Sequence, residues 1–294
     1  MLIWTQYPCQ GWKPLNSILT LGSTKIITPV KRSHVISAGV AVLATLSLLS
    51  CQKKSSEQEA VTADTTATAT TTPSMNVLTD EEKAAGWELL FDGSTLTGWK
   101  RYNHDTIGPL WSVKDGAIVC DGEGLSEGTA NIGGSLITTK PYGNFELTAE
   151  WKVSPGGNSG ILYHVVEKKE LKHDYDTGPE YQVIDDSGWK GEALKPAQKA
   201  GSNYDMFEAP DTKKLLPAGE WNTSRLIYNN GHVEQWLNGE KVVSFEEGSP
   251  EYTERYKKSK WTGYPAWNKS KTGAISLQDH GAPVYFRNIK IKAL

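Results

Sequence analysis

Residues 158–186 read NSGILYHVVEKKELKHDYDTGPEYQVIDD, and this stretch contains two short apolar runs separated by a charged loop. Runs of this kind, alternating apolar and polar residues on either side of a polar loop, are typical of paired β-strands. Successive side chains of a strand point to opposite faces of a sheet, so each run is predicted to turn one apolar face to a core. The predicted core-facing residues are Ile161, Tyr163, Val165, Tyr181 and Val183.

The opposite face of these two strands is polar. By the same alternation, Asn158 and His164 of the first run share this face with Glu180 and Gln182 of the second. An imidazole, a carboxylate and two amides on one sheet face indicate a functional site. An ordinary polar outer face explains this stretch, taken alone, equally well.

The closing stretch, AISLQDHGAPVYFRNIKIKAL (274–294), repeats the pattern. Ile275 and Leu277 are predicted to face the core, which leaves Gln278 and His280 on the polar face, immediately before a glycine that lets the chain turn. We therefore predict that His164, Glu180, Gln182, Gln278 and His280 gather into one site.

The remaining folded part consists mainly of predicted strands. Phe145–Val153 alternates strictly between apolar and polar residues, and Asp-Gly or Asn-Gly pairs at 115–116, 230–231 and 238–239 are typical hairpin turns. A short helix is predicted over Leu78–Gly86, with Thr79 or Asp80 as its N-cap. Strands with tight turns and one convincing helix predict an all-β sandwich.

The first fifty residues are predicted to be a leader that is not part of the fold. The uncharged run Val35–Ser50 follows Lys31 and Arg32 and is short for a membrane span, which is typical of a secretory signal. It ends in Leu-Leu-Ser-Cys, which resembles the bacterial lipobox. We therefore expect Cys51 to be lipidated and to anchor the protein to a membrane of the bacterial cell envelope, by this interpretation the outer membrane, facing the periplasm or the cell surface.

A solvated tether is predicted to follow the leader. Residues 52–76 contain seven Thr and no aromatic residue, a composition that cannot bury enough apolar surface to fold. The predicted organisation is a leader (1–50), a tether (51–76) and one folded domain (77–294). Cys120 is the one cysteine in the domain, so neither an intramolecular disulfide nor a cysteine metal site is expected.

The overall composition is that of an ordinary globular protein. A net charge of -3 shows no basic excess, so nucleic acid is not an expected partner. The 11 Trp and 12 Tyr against 5 Phe are unusual. Such rings stack on sugar faces, but they also fill cores, and composition alone does not separate a saccharide-binding protein from a Trp-rich β core.

Six segments of the domain carry a family resemblance: LFDGSTLTGW, YGNFELTAEWKV, NSGILYH, GPEYQVIDD, GEWNTSRLIYNNGHVEQWLNGEKV and ISLQDHGAPVYFRNIKIK. In this order, over about Leu89–Leu294, they resemble the 3-keto-disaccharide hydrolase family, described as 3-keto-glucoside 1,2-lyases with 3-keto-2-hydroxy-glucal hydratase activity. The resemblance implies a concanavalin A-like jelly-roll sandwich of two antiparallel sheets, with short helices and long loops. The sequence departs from the family pattern at Ala200-Gly201-Ser202-Asn203-Tyr204-Asp205, where members often carry a more apolar run.

This resemblance implies a glycoside or 3-keto-glycoside substrate and a specific chemistry. A ketone at C3 acidifies the C2 hydrogen, so a base removes it, the C1 substituent leaves, and water adds to the resulting enone. Such a site needs an acid, a base and a group that holds the enolate oxygen. The matching candidates are His280, Glu180 and His164 as catalytic residues and Asn158, Gln182, Tyr204 and Gln278 as substrate-binding residues.

Three points stay open at this stage. The His and Glu side chains also suit a divalent metal that would stabilise the enolate. An ordinary glycoside hydrolase would need two carboxylates at a set separation, and strand alternation turns Asp185 away from Glu180. A lectin-like module without catalysis is also compatible with the aromatic content.

Overall fold

The computed structural model describes residues 75–122 and 133–294 of the chain. The predicted leader, Cys51 and nearly all of the predicted tether lie outside these residues. Asn76, which we assigned to the tether, belongs to the fold instead. It is buried, its backbone N–H donates to Asn288 Oδ1 (2.6 Å), and its side-chain amide donates to the Gly116 carbonyl (2.8 Å).

The described residues contain thirteen strands. They are β1 (Trp87–Leu89), β2 (Trp99–Arg101), β3 (Trp111–Lys114), β4 (Ala117–Cys120), β5 (Leu136–Thr138), β6 (Phe145–Val153), β7 (Asn158–Val165), β8 (Glu180–Ile184), β9 (Asn222–Asn229), β10 (His232–Leu237), β11 (Glu240–Glu246), β12 (Ala274–Leu277) and β13 (Val284–Ala293). All the paired neighbours run antiparallel.

The strands form two sheets. The larger sheet has the order β11-β10-β9-β6-β13-β4-β3, with β1 also paired to β13, and the smaller sheet has the order β2-β5-β12-β7-β8. Apolar side chains from both sheets form one buried cluster between them. The predicted concanavalin A-like jelly-roll sandwich is therefore confirmed.

The core explains much of the aromatic content. Trp151 and Phe145 of β6 are fully buried, and the Trp151 indole N–H donates to Ser224 Oγ (2.7 Å), so the ring is buried without an unsatisfied donor. Trp99, Trp111 and Trp261 are also buried. Burial of one large apolar side chain contributes about 1.5–3 kcal/mol, so these rings stabilise the sandwich.

The hairpin turns follow from residues that tolerate a left-handed backbone. The pairs Asp115-Gly116, Asn230-Gly231 and Asn238-Gly239 have positive φ at both positions, as two-residue turns of type I′ require. They join β3 to β4, β9 to β10 and β10 to β11, as the sequence predicts.

Two α-helices occur in the described residues, one of which the sequence analysis missed. Helix α1 (Asp80–Ala84) begins after Thr79, which forms a capping box with Glu82. Helix α2 (Pro250–Lys258) begins after Ser249, whose hydroxyl accepts from the Tyr252 N–H. Its core-facing side consists of two half-buried tyrosines one turn apart, Tyr252 and Tyr256, which is a narrower apolar stripe than usually reveals a helix. No helix of the described residues is long and apolar enough to cross a membrane.

Strand β7 departs from strict alternation at its end. His164 has a φ of 56°, and between Leu162 and Val165 it adds one residue relative to the facing strand β12, which forms a bulge. The bulge turns His164 towards the core and leaves Val165 in a small apolar cluster with Leu162 on the other face. The predicted faces of His164 and Val165 are therefore wrong, whereas those of Ile161 and Tyr163 are confirmed.

Candidate active site

The floor of the candidate site is a glycine in the middle of the smaller sheet. Gly160 of β7 pairs with Gln182 of β8, and on its other side its carbonyl accepts from the Gln278 N–H (2.9 Å). The side chain of Glu180 lies directly over Gly160, where a Cβ would approach Glu180 Cγ to 2.8 Å and Cδ to 2.9 Å. The absence of a side chain at position 160 therefore makes room for the Glu180 carboxylate.

A cavity of about 90 Å³ opens beside this floor. Its lining residues are Asn158, Tyr175, Glu180, Tyr204, Lys260, Gln278 and His280. The sheet thus brings together five of the predicted site residues, two of them predicted catalytic and three predicted substrate-binding. The space is about that of three water molecules, so it suits the reacting edge of a sugar rather than a whole ring.

The amides of the site hold one another in place. Gln182 Nε2 donates to Asn158 Oδ1 (3.2 Å), so Gln182 lies behind the cavity and supports Asn158, a cavity residue. The amide oxygens of Gln182 and Gln278 are both buried and accept no hydrogen bond from the described residues. A buried acceptor without a donor costs about 1–3 kcal/mol, so the arrangement favours a hydroxyl or water bound at this point.

His280 lies three residues after the end of β12. Its ring packs against that of Trp189, with ring centroids 6.1 Å apart and the ring planes at 71°. Burial lowers the pKa of His280 below its ordinary value of 6.5, and the Lys260 ammonium acts in the same direction, against the opposing effect of Asp279. The imidazole is therefore neutral at pH 7 and can accept a proton.

Lys260 supplies a positive charge among three aromatic rings. Its Nζ lies 4.4 Å from the ring centroid of Tyr204, 4.4 Å from that of Trp261 and 5.3 Å from that of Tyr175. An ammonium over aromatic faces is attracted by their electron density. This cage keeps a cation at the edge of the cavity, where it can stabilise negative charge.

The loop at Tyr204-Asp205 holds the Lys260 segment in position. Asp205 Oδ2 accepts from the Lys260 backbone N–H (2.7 Å), and the Trp261 indole N–H donates to the Tyr204 carbonyl (2.9 Å). The irregular region from Gly188 to Glu220 thus borders the cavity through Tyr204.

Sequence reasoning missed Tyr175 and Lys260. Both lie in segments without strand alternation, a short 3₁₀ turn at Asp174–Asp176 and the start of another at Lys260–Gly263. A lysine in a region rich in lysine gives no signal of its own, and its position depends on contacts with the distant residues Tyr204 and Asp205.

The structure does not place His164 in the cavity. It is fully buried on the core side of β7, where Nε2 is 3.0 Å from the Gly143 carbonyl and the ring packs edge-to-face on Tyr228 at 4.3 Å. Burial lowers its pKa from the ordinary value. The grouping of His164 with Glu180 and His280 is therefore wrong, because the bulge reverses its face.

Glu180 is the one carboxylate among the described residues that line the cavity. Asp185 makes turn contacts instead, accepting from the backbone N–H groups of Gly156 (2.9 Å) and Gly188 (3.0 Å). Burial alone would raise the pKa of Asp185, but these bonds outweigh it and lower the pKa. The described residues contain no group of three His, Cys, Asp or Glu side chains placed to hold a metal ion.

A jelly-roll sandwich with a glutamate, a histidine, amides and aromatic rings gathered in one cavity on a sheet is typical of a carbohydrate-active β-sandwich protein. Residues 86–292 match the family model of the 3-keto-alpha-glucoside-1,2-lyase-like domain. A 3-keto-disaccharide hydrolase of Bacteroides thetaiotaomicron is 35% identical over an alignment of 232 residues, and the match covers 72% of this chain and 79% of that protein. The chain belongs to this family.

Solved structures agree with this assignment. The crystal structure of a candidate glycosyl hydrolase from Parabacteroides distasonis is 44% identical, with a TM-score of 0.68, and the match covers 75% of this chain and 100% of that chain. A second such structure from the same organism is 28% identical, with a TM-score of 0.52, and the match covers 71% of this chain and 99% of that chain.

Proposed function

We propose that the protein cleaves 3-keto-glycosides by removing the C2 proton, eliminating the C1 substituent and hydrating the 3-keto-2-hydroxy-glucal that forms. Membership of the family and the 35% identical 3-keto-disaccharide hydrolase support a carbohydrate substrate of this class. The observation that carries the proposal is that a neutral imidazole, the carboxyl group of Glu180 and a lysine ammonium line one cavity.

In the first step His280 takes the proton from C2. The ketone at C3 makes this proton acidic, because the electron pair left on C2 delocalises onto the C3 oxygen. The lowered pKa of His280 keeps its imidazole neutral and ready to accept the proton. The caged ammonium of Lys260 stabilises the enolate charge without moving.

In the second step the enolate reforms the ketone and expels the C1 oxygen, and Glu180, in its carboxylic acid form, donates its proton to the leaving group. Water then adds to C1 of the enone and gives a proton back to Glu180, while the His280 imidazolium, whose proton has exchanged with solvent, returns a proton to C2. The sum is hydrolysis: one water is consumed, and the free 3-keto sugar and the alcohol are released. Asn158 and Gln278 orient the sugar hydroxyls.

Direct hydrolysis with two carboxylates is less well supported. That mechanism requires acid groups about 5–5.5 Å or about 6.5–9.5 Å apart on either side of the scissile bond. Among the described residues that line the cavity only Glu180 is an acid, and Asp185 is engaged by backbone N–H groups of a turn.

The test is to run the reaction in D2O and to measure deuterium at C2 of the 3-keto sugar by NMR. Elimination and hydration exchange that hydrogen with solvent, so we expect full incorporation. Direct displacement at C1 would retain the original hydrogen. A control with free 3-keto sugar must show that it does not exchange on the same timescale. Retained hydrogen would overturn the elimination route, and binding without any release of alcohol would indicate a lectin-like module.

A further inference from the structure

A second, larger groove lies where the β9–β10 turn and the start of β6 meet the segment that follows β11. Its volume is about 640 Å³, within the range of about 300–1,000 Å³ typical of ligand sites. It shares no lining residue with the candidate active site among the described residues.

One wall of this groove is aromatic and held rigid from behind. Tyr256, which is half-buried, stacks on Trp267 with ring centroids 5.9 Å apart and planes at 17°. Trp267 in turn stacks on the fully buried Trp261 at 4.8 Å and 8°. Tyr252 adds a second half-buried ring. Flat, fixed rings of this kind pack well against the apolar C–H face of a sugar.

The base of the groove is a fixed polar network around Glu247, whose side chain is only 8% exposed. Its carboxylate accepts from the Tyr228 hydroxyl (3.0 Å), Asn268 Nδ2 (2.6 Å) and Lys271 Nζ (2.6 Å). A carboxylate has about four acceptor positions, so three donors fix its orientation and leave one position for a ligand hydroxyl. Asn268 Nδ2 also donates to the Tyr252 hydroxyl (2.7 Å), which leaves the proton of that hydroxyl available to donate.

The charges favour a neutral ligand over an anion. Lys271 is paired with Glu247, and the other polar groups at the rim include the uncharged amides of Asn144 and Asn230. One exposed ammonium, that of Lys269, remains. We infer that this groove is a second carbohydrate-binding site that takes a neutral oligosaccharide, with a sugar face on Tyr256 and hydroxyls on Glu247 and Tyr252.

The experiment follows the indole N–H resonances of Trp267 and Trp189 by NMR in isotope-labelled full chain. Trp267 lines the groove, whereas Trp189 packs on His280 at the candidate active site, so the two sites report separately. Cellotetraose and maltotetraose are the probes, titrated to about 10 mM to detect a millimolar Kd. We expect a saturable shift of Trp267 with at least one probe, and the same shift in a Glu180→Gln, His280→Ala double variant.

Two substitutions at one position then test the aromatic wall. Tyr256→Ala removes the stacking ring and should weaken binding roughly tenfold, whereas Tyr256→Phe keeps the ring and should bind nearly as well as the wild type. If Tyr256→Ala proves unstable, Glu247→Gln is used, which keeps the shape and should weaken binding severalfold.

The inference does not depend on the proposed reaction, because the reaction is measured by deuterium at C2 and the groove by the Trp267 resonance. It is overturned if neither probe shifts Trp267 saturably. It is also overturned if the shift disappears in the Glu180→Gln, His280→Ala variant, or if folded Tyr256→Ala, or Glu247→Gln in its place, binds as the wild type does.

Discussion

The carboxylate of Glu180 lies across the backbone of Gly160 on the neighbouring strand. A methyl carbon at position 160 would lie 2.8 Å from Cγ and 2.9 Å from Cδ of Glu180, closer than nonbonded carbon atoms approach. Gly160 is therefore a positioning residue: its missing side chain determines where the acid can lie.

Gly160→Ala is expected to displace the Glu180 carboxylate and to lower kcat about 100-fold, since small displacements of a catalytic group have effects of this size. Steady-state kinetics with a 3-keto-glucoside measure the change. Gly263→Ala is the matched control, because a Cβ there meets no atom within 4 Å and its φ is not in the left-handed region.

A double-mutant cycle separates positioning of Glu180 from general damage at Gly160. If Gly160 acts through Glu180, Gly160→Ala should cause little further loss in a Glu180→Gln background. An equal, additive loss in that background would contradict the positioning role.

Glu180→Gln and His280→Ala are each expected to lower turnover of a 3-keto-glucoside by about two to four orders of magnitude, the usual contribution of a positioned acid or base. Neither side chain belongs to the apolar core, so thermal unfolding should change little. His232→Ala is the control, because His232 lies on the larger sheet, paired with Glu246. Turnover within about tenfold of the wild type for either site variant would contradict its catalytic role.

Strand alternation was sufficient to predict most of the site. Glu180, Gln182 and Gln278 lie on regular strands or directly after one, so period-two alternation places them on one face and the structure confirms this. Alternation failed at His164, where one additional residue with positive φ reverses the face. Nothing in the local sequence marks this bulge, since it depends on pairing with β12.

Contacts between distant segments could not be predicted from local pattern. Lys260 reaches the cavity because Asp205 and Tyr204 hold its turn, and these partners lie more than fifty residues earlier in the chain. Helix α2, directly before it, turns only Tyr252 and Tyr256 towards the core, so its helical periodicity is weak. The residues missed are thus those whose placement depends on tertiary packing alone.

Lys260→Met is expected to lower kcat about 100-fold, because it removes the charge that stabilises the enolate. The effect should fall on kcat more than on KM, since the negative charge develops only as the C2 proton leaves. Lys260→Arg should retain part of the activity, and Lys258→Met, an exposed residue at the end of α2, should behave as the wild type. A rise in KM with unchanged kcat would assign Lys260 to substrate binding instead.

His164→Asn is expected to lower stability rather than turnover. Asparagine tolerates the positive φ at this position, so the substitution removes mainly the buried ring and its packing on Phe145 and Tyr228. We expect a loss of about 2 kcal/mol in the free energy of unfolding, measured by denaturant titration at pH 7. Turnover of the folded variant at low temperature should remain near that of the wild type, which would separate His164 from His280.

The pH dependence of this stability has a definite sign. Burial lowers the pKa of folded His164 below the 6.5 of the unfolded chain, so the fold favours the neutral imidazole. Its contribution is therefore fully present above pH 6.5 and is lost as the pH falls towards the lowered folded pKa, because the unfolded chain then binds the extra proton. His280, also lowered, contributes the same decline to both proteins and cancels in their difference. The stability difference between wild type and His164→Asn should thus be largest above pH 6.5 and should shrink below it; a constant difference would contradict the burial of a neutral imidazole at position 164.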